Sequence, residues 1–302
     1  MNRRSFSRNL ALTALGGGAL AARGMKADAA GIGAPAPAAS GASFKISLML
    51  WTVFHKMPFE QRLEKAASAG YQNVELVGEF EKWSDAEYQN VARKRRELGI
   101  HFDATAGVKR SLTDPAQRDA FLAEVQGMLP VMDKLECPAL IVLTGDKVPA
   151  LDHEAQHASV VEGLKRAADI VEPKGYKVLL ENIDPEENPK YFLTSVTEGF
   201  DVIREVDHPH VRFLYDFFHE QISEGNLIEK LQKNIALVDL VHIADVPGRH
   251  EPGTGEINYT NIYKKLAELH YDRYVAMEFM PTGDEVEGLR TAREAAEAAG
   301  RA

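Results

Sequence analysis

The chain has 302 residues, 45% of them apolar and 26% charged, so it can bury a large hydrophobic core without a disulfide staple. Its 45 acidic residues outnumber its 35 basic ones, giving a formal charge of −10, which speaks against nucleic-acid binding and against attraction to anionic membranes. The single cysteine, Cys137, opens the apolar run CPALIVL and is expected to be a small core residue rather than a reactive thiol.

In chain order, residues 1–29 read first, as a targeting segment. Arg3 and Arg4 precede Phe6, a moderately apolar Gly/Ala-rich run covers 10–22, and Ala27-Asp28-Ala29 supplies an A-x-A-like cleavage site. The arginine pair makes this segment resemble a twin-arginine (Tat) signal, which implies export of an already folded protein to the periplasm or beyond. The apolar run is too short and too weakly apolar to remain as a spanning anchor. The segment carries five basic residues and one acidic residue, a net of +4, so its removal takes the charge from −10 to −14. Residues 30–43, AGIGAPAPAASGAS, are small and uncharged and read as a flexible linker.

From residue 44 to the end, two textures alternate. Short apolar runs recur: FKISLML, YQNVELV, IHFDATA, PALIVLT, YKVLLEN, VRFLYDF, VDLVHIA and YVAMEFM. Each is continuous rather than alternating, as expected for parallel strands covered on both faces. Between them lie amphipathic stretches that read as helices: FEQRLEKAASAG, DAEYQNVARKRRELG, DAFLAEVQGMLPVMDKL, HASVVEGLKRAADIVEPKG, SVTEGFDVIREV, NLIEKLQKNIA and TNIYKKLAELH. Several end in Gly just before the next strand, a helix-stop signal. Eight such units in about 260 residues predict a single-domain (β/α)₈ barrel over 44–302. A doubly wound sheet is the competing architecture, but no G-x-G-x-x-G follows the first strand. The basic run ARKRREL on the second helix reads as a solvated face.

In such a barrel, chemistry sits at the C-terminal ends of the strands. Strand five ends at Glu181, strand six at Asp216 with His219 one turn on, strand seven carries His242 near its end, and strand eight ends at Glu278. Taken singly, each carboxylate reads as a helix cap or loop salt bridge, and each histidine as a satisfied core residue. Four consecutive strands ending in Glu, Asp, His and Glu change that. Three carboxylates close together repel, and burial makes it worse. One divalent cation resolves the conflict, and three carboxylates with one imidazole form a hard, oxygen-rich set suited to Mn²⁺, Mg²⁺ or Co²⁺. Trp51 and Phe54 end strand one and can wall the pocket or pack in the core. Met280 can line the pocket or simply pack. Arg249, in the Gly/Pro-rich loop PGRHEPGTG, can clamp substrate oxygens with its planar fork or pair with Glu251 or Glu256.

The motifs SLMLWTVF, PFEQRLEKAASAGYQNVEL, LLENID, NPKYFLTS, YDFFHEQ, ADVPGRHEPGTGEINY and MEFMP together resemble the xylose-isomerase-like barrel superfamily, and within it most the hydroxypyruvate isomerase family. The resemblance covers about residues 44–295. It implies a metal held by Glu181, Asp216, His242 and Glu278, with Glu181 and Glu278 also serving as the acid/base pair. It further implies that His219, Arg249 and Glu187 contact substrate oxygens. Two positions depart from the pattern: His242 stands where hydroxypyruvate isomerases often carry Gln, as in the ketose epimerase branch, and Met280 stands where they tend to carry Lys.

The implied chemistry is proton abstraction beside a carbonyl, the cation stabilising the cis-enediolate that forms. Proton return to the same carbon gives epimerisation, return to the neighbouring carbon gives isomerisation, and loss of a β-hydroxyl gives dehydration or lysis. The expected activity is a metal-dependent isomerase or epimerase of a small hydroxy-ketone or keto-sugar. A lyase on the same site, or a barrel that binds sugar without turnover, stays open, as does a homo-oligomeric state.

Overall fold

The computed structural model describes residues 42–301; the expected targeting segment at 1–29 and nearly all of the expected linker at 30–43 lie outside the described residues. Eight parallel strands close into a barrel in sequence order. They are β1 (Lys45–Met49), β2 (Asn73–Val77), β3 (His101–Ala106), β4 (Ala139–Leu143), β5 (Lys177–Glu181), β6 (Val211–Asp216), β7 (Val238–Ile243) and β8 (Tyr274–Met277). Pairing of β1 with β8, Ser47 opposite Ala276, closes the ring. The expected (β/α)₈ barrel is the observed one.

Around it run α1 (Phe59–Ser68), α2 (Asp85–Leu98), α3 (Arg118–Leu135), α4 (His153–Val171), α5 (Val196–Val206), α6 (Phe217–Ser223), α7 (Leu227–Asn234), α8 (Tyr259–Glu268) and α9 (Glu285–Gly300). Local chemistry sets their ends. Ser84 and Glu87 form a reciprocal capping box at the start of α2, and Gly99, with φ of 67°, stops it in the left-handed conformation. The side chain of Asp152 accepts from Ala155 N, so α4 begins at His153, ahead of the predicted apolar stripe. Helix α6 follows β6 without a loop, so His219 lies on a helix. No helix among the described residues is long and apolar enough to cross a membrane.

The strands are apolar throughout because they separate two cores. Outside, large side chains such as Leu48, Val74, Leu180, Phe213 and Val241 pack against the helices. Inside, Met49, Ala104, Ala139, Ile141, Leu179, Leu214, Leu240 and Ala276 fill the bore. Removing such area from water stabilises by about 25 cal/mol per Å². Cys137 is fully buried and its thiol is pushed well up by burial, which fits the inert core role. The basic run on α2 is corrected at one position. Arg95 is buried, with its guanidinium 5.6 Å from the Phe102 ring centroid and paired with Glu136. Its aliphatic stem and flat head cover apolar surface, which a reading by charge overlooks.

Candidate functional site

The bore is apolar only up to the level where the strands end. Beyond it, at the C-terminal mouth, the barrel places Glu181 as the last residue of β5, Asp216 as the last of β6, His242 one residue before the end of β7, and Glu278 one residue past β8. All four are buried, and one ligand atom from each lies within 4.8 Å of the others. Each points inward because inward and outward positions alternate along a strand, which puts Glu181 in line with the bore residue Leu179 and His242 in line with Leu240.

Asp216 serves two purposes with two oxygens. Its Oδ1 accepts from Phe218 N at 2.7 Å and caps α6, while Oδ2 faces the cluster. The residue therefore caps a helix and lines the cluster at once.

His242 is enclosed by carboxylates. Its Nε2 lies 2.9 Å from Glu75 Oε2. Its Nδ1 is buried, 2.8 Å from Glu278 Oε2 and 3.6 Å from Glu181 Oε1, and is aligned for no hydrogen bond. Burial alone lowers the ring's proton affinity, but the Glu278 and Glu75 carboxylates outweigh it and push the pKa well above its ordinary value. A proton or a metal ion at Nδ1 answers the same field. A buried nitrogen lone pair facing two carboxylates fits a divalent cation coordinated through Nδ1, with the second ring nitrogen fixed by a carboxylate behind it.

The two glutamates differ. Glu181 is raised, chiefly by burial, with His242 beside it opposing the rise. Glu278 is buried too, yet Arg249 and His242 hold it well below the usual carboxylate range, and the Trp51 indole adds a bond from Nε1 to Oε1 at 2.8 Å.

Trp51 therefore lies beside the cluster. Phe54 does not wall it; it packs in the outer core, with φ of 57° and its amide bonded to Glu285 Oε1. Met280 is 40% exposed beyond the rim. Glu187 is half exposed and reaches Arg249 Nη1 at 3.0 Å.

Arg249 does not take the salt bridges that its neighbours in sequence offer. It pairs with neither Glu251, which bonds Thr282, nor Glu256, which bonds Gln221. Its buried guanidinium reaches Glu278 Oε2 at 2.6 Å, Asp216 Oδ2 at 3.2 Å and Glu187, with its face 4.7 Å from the Phe218 ring centroid. It neutralises two residues of the four-residue cluster. Its presentation depends on Asp245, a buried carboxylate that accepts from the backbone amides of Val246, Gly253, Gly255 and Ile257 and so gathers the loop after β7. Gly255 fits there because a Cβ would lie 2.1 Å from the Val246 carbonyl oxygen.

His219 is buried with Nδ1 2.7 Å from Asp184 Oδ2 and Nε2 3.4 Å from Asp216 Oδ2. Burial pulls its pKa down, but Asp216 and Asp184 overcome this and raise it to about 9, so the ring is a cation at neutral pH. Asp184, Glu187 and His219 could on distance alone form a second ligand group. There the His219 and Arg249 cations already balance the carboxylates.

Sequence reasoning missed Glu75, Asp103, Asp184 and Asp245. Glu75 and Asp103 stood as lone acids inside apolar runs, NVELV and HFDATA, and that signal was available. A cavity of about 340 Å³ also opens at the opposite mouth, lined by Lys45, Lys177, Asp239 and Arg273 among others. It lies away from the carboxylate cluster, and Asp239 there already pairs with Lys177, Arg212 and Arg273.

Comparison with known proteins agrees with this architecture. The family model described as xylose isomerase-like TIM barrel matches residues 63–299. A 2-oxo-tetronate isomerase of Haemophilus influenzae is 31% identical over 250 residues, 81% of this chain and 96% of that protein. The hydroxypyruvate isomerase of Escherichia coli is 28% identical over 250 residues, 82% of this chain and 97% of that protein. Among solved structures, one titled AP endonuclease, family 2, from Brucella melitensis superposes with a TM-score of 0.75 at 27% identity, over 81% of this chain and 96% of that one. The chain belongs to the xylose isomerase-like TIM barrel family.

Proposed function

We propose that the protein is a divalent-metal-dependent isomerase or epimerase of a small hydroxy-ketone or keto-sugar. The observation that carries the reading is the convergence of Glu181, Asp216, His242 and Glu278 with His242 Nδ1 buried and unbonded among carboxylates. The two relatives above, both named as isomerases and matched over nearly their whole length, support the reaction class.

Glu181, Asp216, His242 and Glu278 would hold Mn²⁺, Mg²⁺ or Co²⁺. When bound, such an ion supplies Lewis-acid stabilisation of negative charge developing on a carbonyl oxygen. The protein's own residues do the rest. Glu181, with its raised proton affinity, is the stronger base and removes the proton next to the carbonyl. Glu278 holds protons weakly, so one placed on it is readily given back. Trp51 and Arg249 fix the Glu278 carboxylate in position. His219 Nε2, 3.4 Å from Asp216 Oδ2, helps hold that carboxylate in place.

Incubation of the metal-loaded protein with a panel of hydroxypyruvate, 2-oxo-tetronates, ketoses and inososes, followed by NMR, tests the assignment. Interconversion of isomers or epimers is the expected result. A product that has lost water or a carbon–carbon bond would make the enzyme a lyase or dehydratase instead, and an unchanged panel would leave a binding barrel.

A further inference from the structure

The bore of this barrel holds two carboxyl groups that the reaction does not touch. Glu75 sits mid-strand in β2 and Asp103 in β3, both buried. The register of β2 against β3 shifts between Val74↔Phe102 and Leu76↔Thr105, so Asp103 and Ala104 together face Glu75. Such a bulge re-aims a side chain, here setting Asp103 against Glu75 and Ser47. Ser47 Oγ donates to Asp103 Oδ1 at 2.7 Å. Glu75 Oε1 and Asp103 Oδ2 are buried without a hydrogen-bond partner, and the two carboxyl groups lie against one another. One proton shared between them would satisfy both oxygens. Burial, and then the neighbouring Glu75, push Asp103 well up, which fits a proton carried on the Asp103 side. The other oxygen of Glu75 accepts from His242 Nε2 at 2.9 Å. Strands β2 and β7 are three apart around the ring, so this last bond crosses the bore.

As packing, the arrangement is poor: two buried carboxyls cost more than the apolar side chains that fill the rest of the bore. As a device for aiming an imidazole, it is well built. With Nε2 committed as a donor to Glu75, Nδ1 is left as the lone pair that faces Glu181 and Glu278.

We infer that Glu75 is a positioning residue that fixes the tautomer and orientation of His242 for metal binding through Nδ1, and that Asp103 holds Glu75 in place by donating to it. The inference rests on the metal reading above. Its test needs no turnover: Mn²⁺ is titrated calorimetrically into metal-stripped full-length protein, with apo melting followed by circular dichroism.

Glu75→Gln should weaken Mn²⁺ binding about 10-fold and Glu75→Leu about 100-fold, the span typical of partners behind a ligating histidine. Both apoproteins should still melt cooperatively, and if the Leu variant misfolds the isosteric Gln variant carries the test. Asp103→Asn should bind as wild type does, because its amide still donates to Glu75 Oε1, whereas Asp103→Leu should lose about 10-fold. Wild-type affinity in both Glu75 variants would overturn the inference and leave the metal reading standing. Wild-type protein that binds no Mn²⁺, Mg²⁺ or Co²⁺ would overturn both.

Discussion

Glu181→Gln and Glu278→Gln should each lower turnover by at least ~10²–10⁴-fold, the range a positioned general base or acid contributes. The larger end is expected because each substitution also replaces an anionic ligand by a neutral amide. Folding should survive, since Gln has nearly the shape of Glu and both positions lie at strand ends rather than in the packed bore. The variants should differ in one respect. Glu278→Gln also leaves Arg249 with one fewer anion and so should bind metal less tightly and melt lower. Glu181 has no such partner, and its amide variant should melt near or above wild type, because burial already disfavours its charge. Steady-state kinetics on a substrate found by the panel, with melting curves on the same preparations, reads both. Near-wild-type turnover in either variant would remove that residue from the acid/base pair.

Arg249→Met should destabilise the metal-free protein by about 3–5 kcal/mol, the usual result of breaking a buried ion pair from one side. The stranded groups are Asp216 and Glu278, both buried. Met fits the aromatic surroundings of Phe218 and Trp51, so lost packing accounts for little. The distinctive expectation is partial rescue: a divalent cation satisfies the same two carboxylates, so added Mn²⁺ should raise the variant's melting temperature more than the wild type's. An arginine whose main duty is to hold substrate would instead leave the melting curve unchanged and raise KM.

Much of the site was legible because of how a parallel barrel reads in sequence. Its strands are buried on both faces, so each is a continuous apolar run, and a polar residue that closes such a run stands out. That is how Glu181, Asp216, His242 and Glu278 could be picked out one after another. Glu75 was harder to see. It closes nothing, being followed by Leu76 and Val77, and its partner His242 is 167 residues away. Asp184 was hidden in the polar tract IDPEEN, where a turn carboxylate is ordinary.

Arg249 shows a different limit. Sequence proximity offers Glu251 and Glu256 as partners, but the loop clasped around Asp245 carries the guanidinium across to the ends of β6 and β8. Asp216 shows that competing readings of one residue need not exclude each other when it has two oxygens. The outcome of the reaction was not legible at all, since the same four side chains serve isomerisation, epimerisation and elimination.

The central claim is that these four residues hold a divalent cation that makes carbon-bound protons exchangeable. Deuterium wash-in from D₂O into hydroxy-ketones, followed by NMR with chelator-stripped protein and again after reloading with one equivalent of Mn²⁺, tests it most directly. The account predicts no wash-in for the stripped protein, restored wash-in on reloading, and none for reloaded Glu181→Gln. Equal wash-in with and without metal would contradict it.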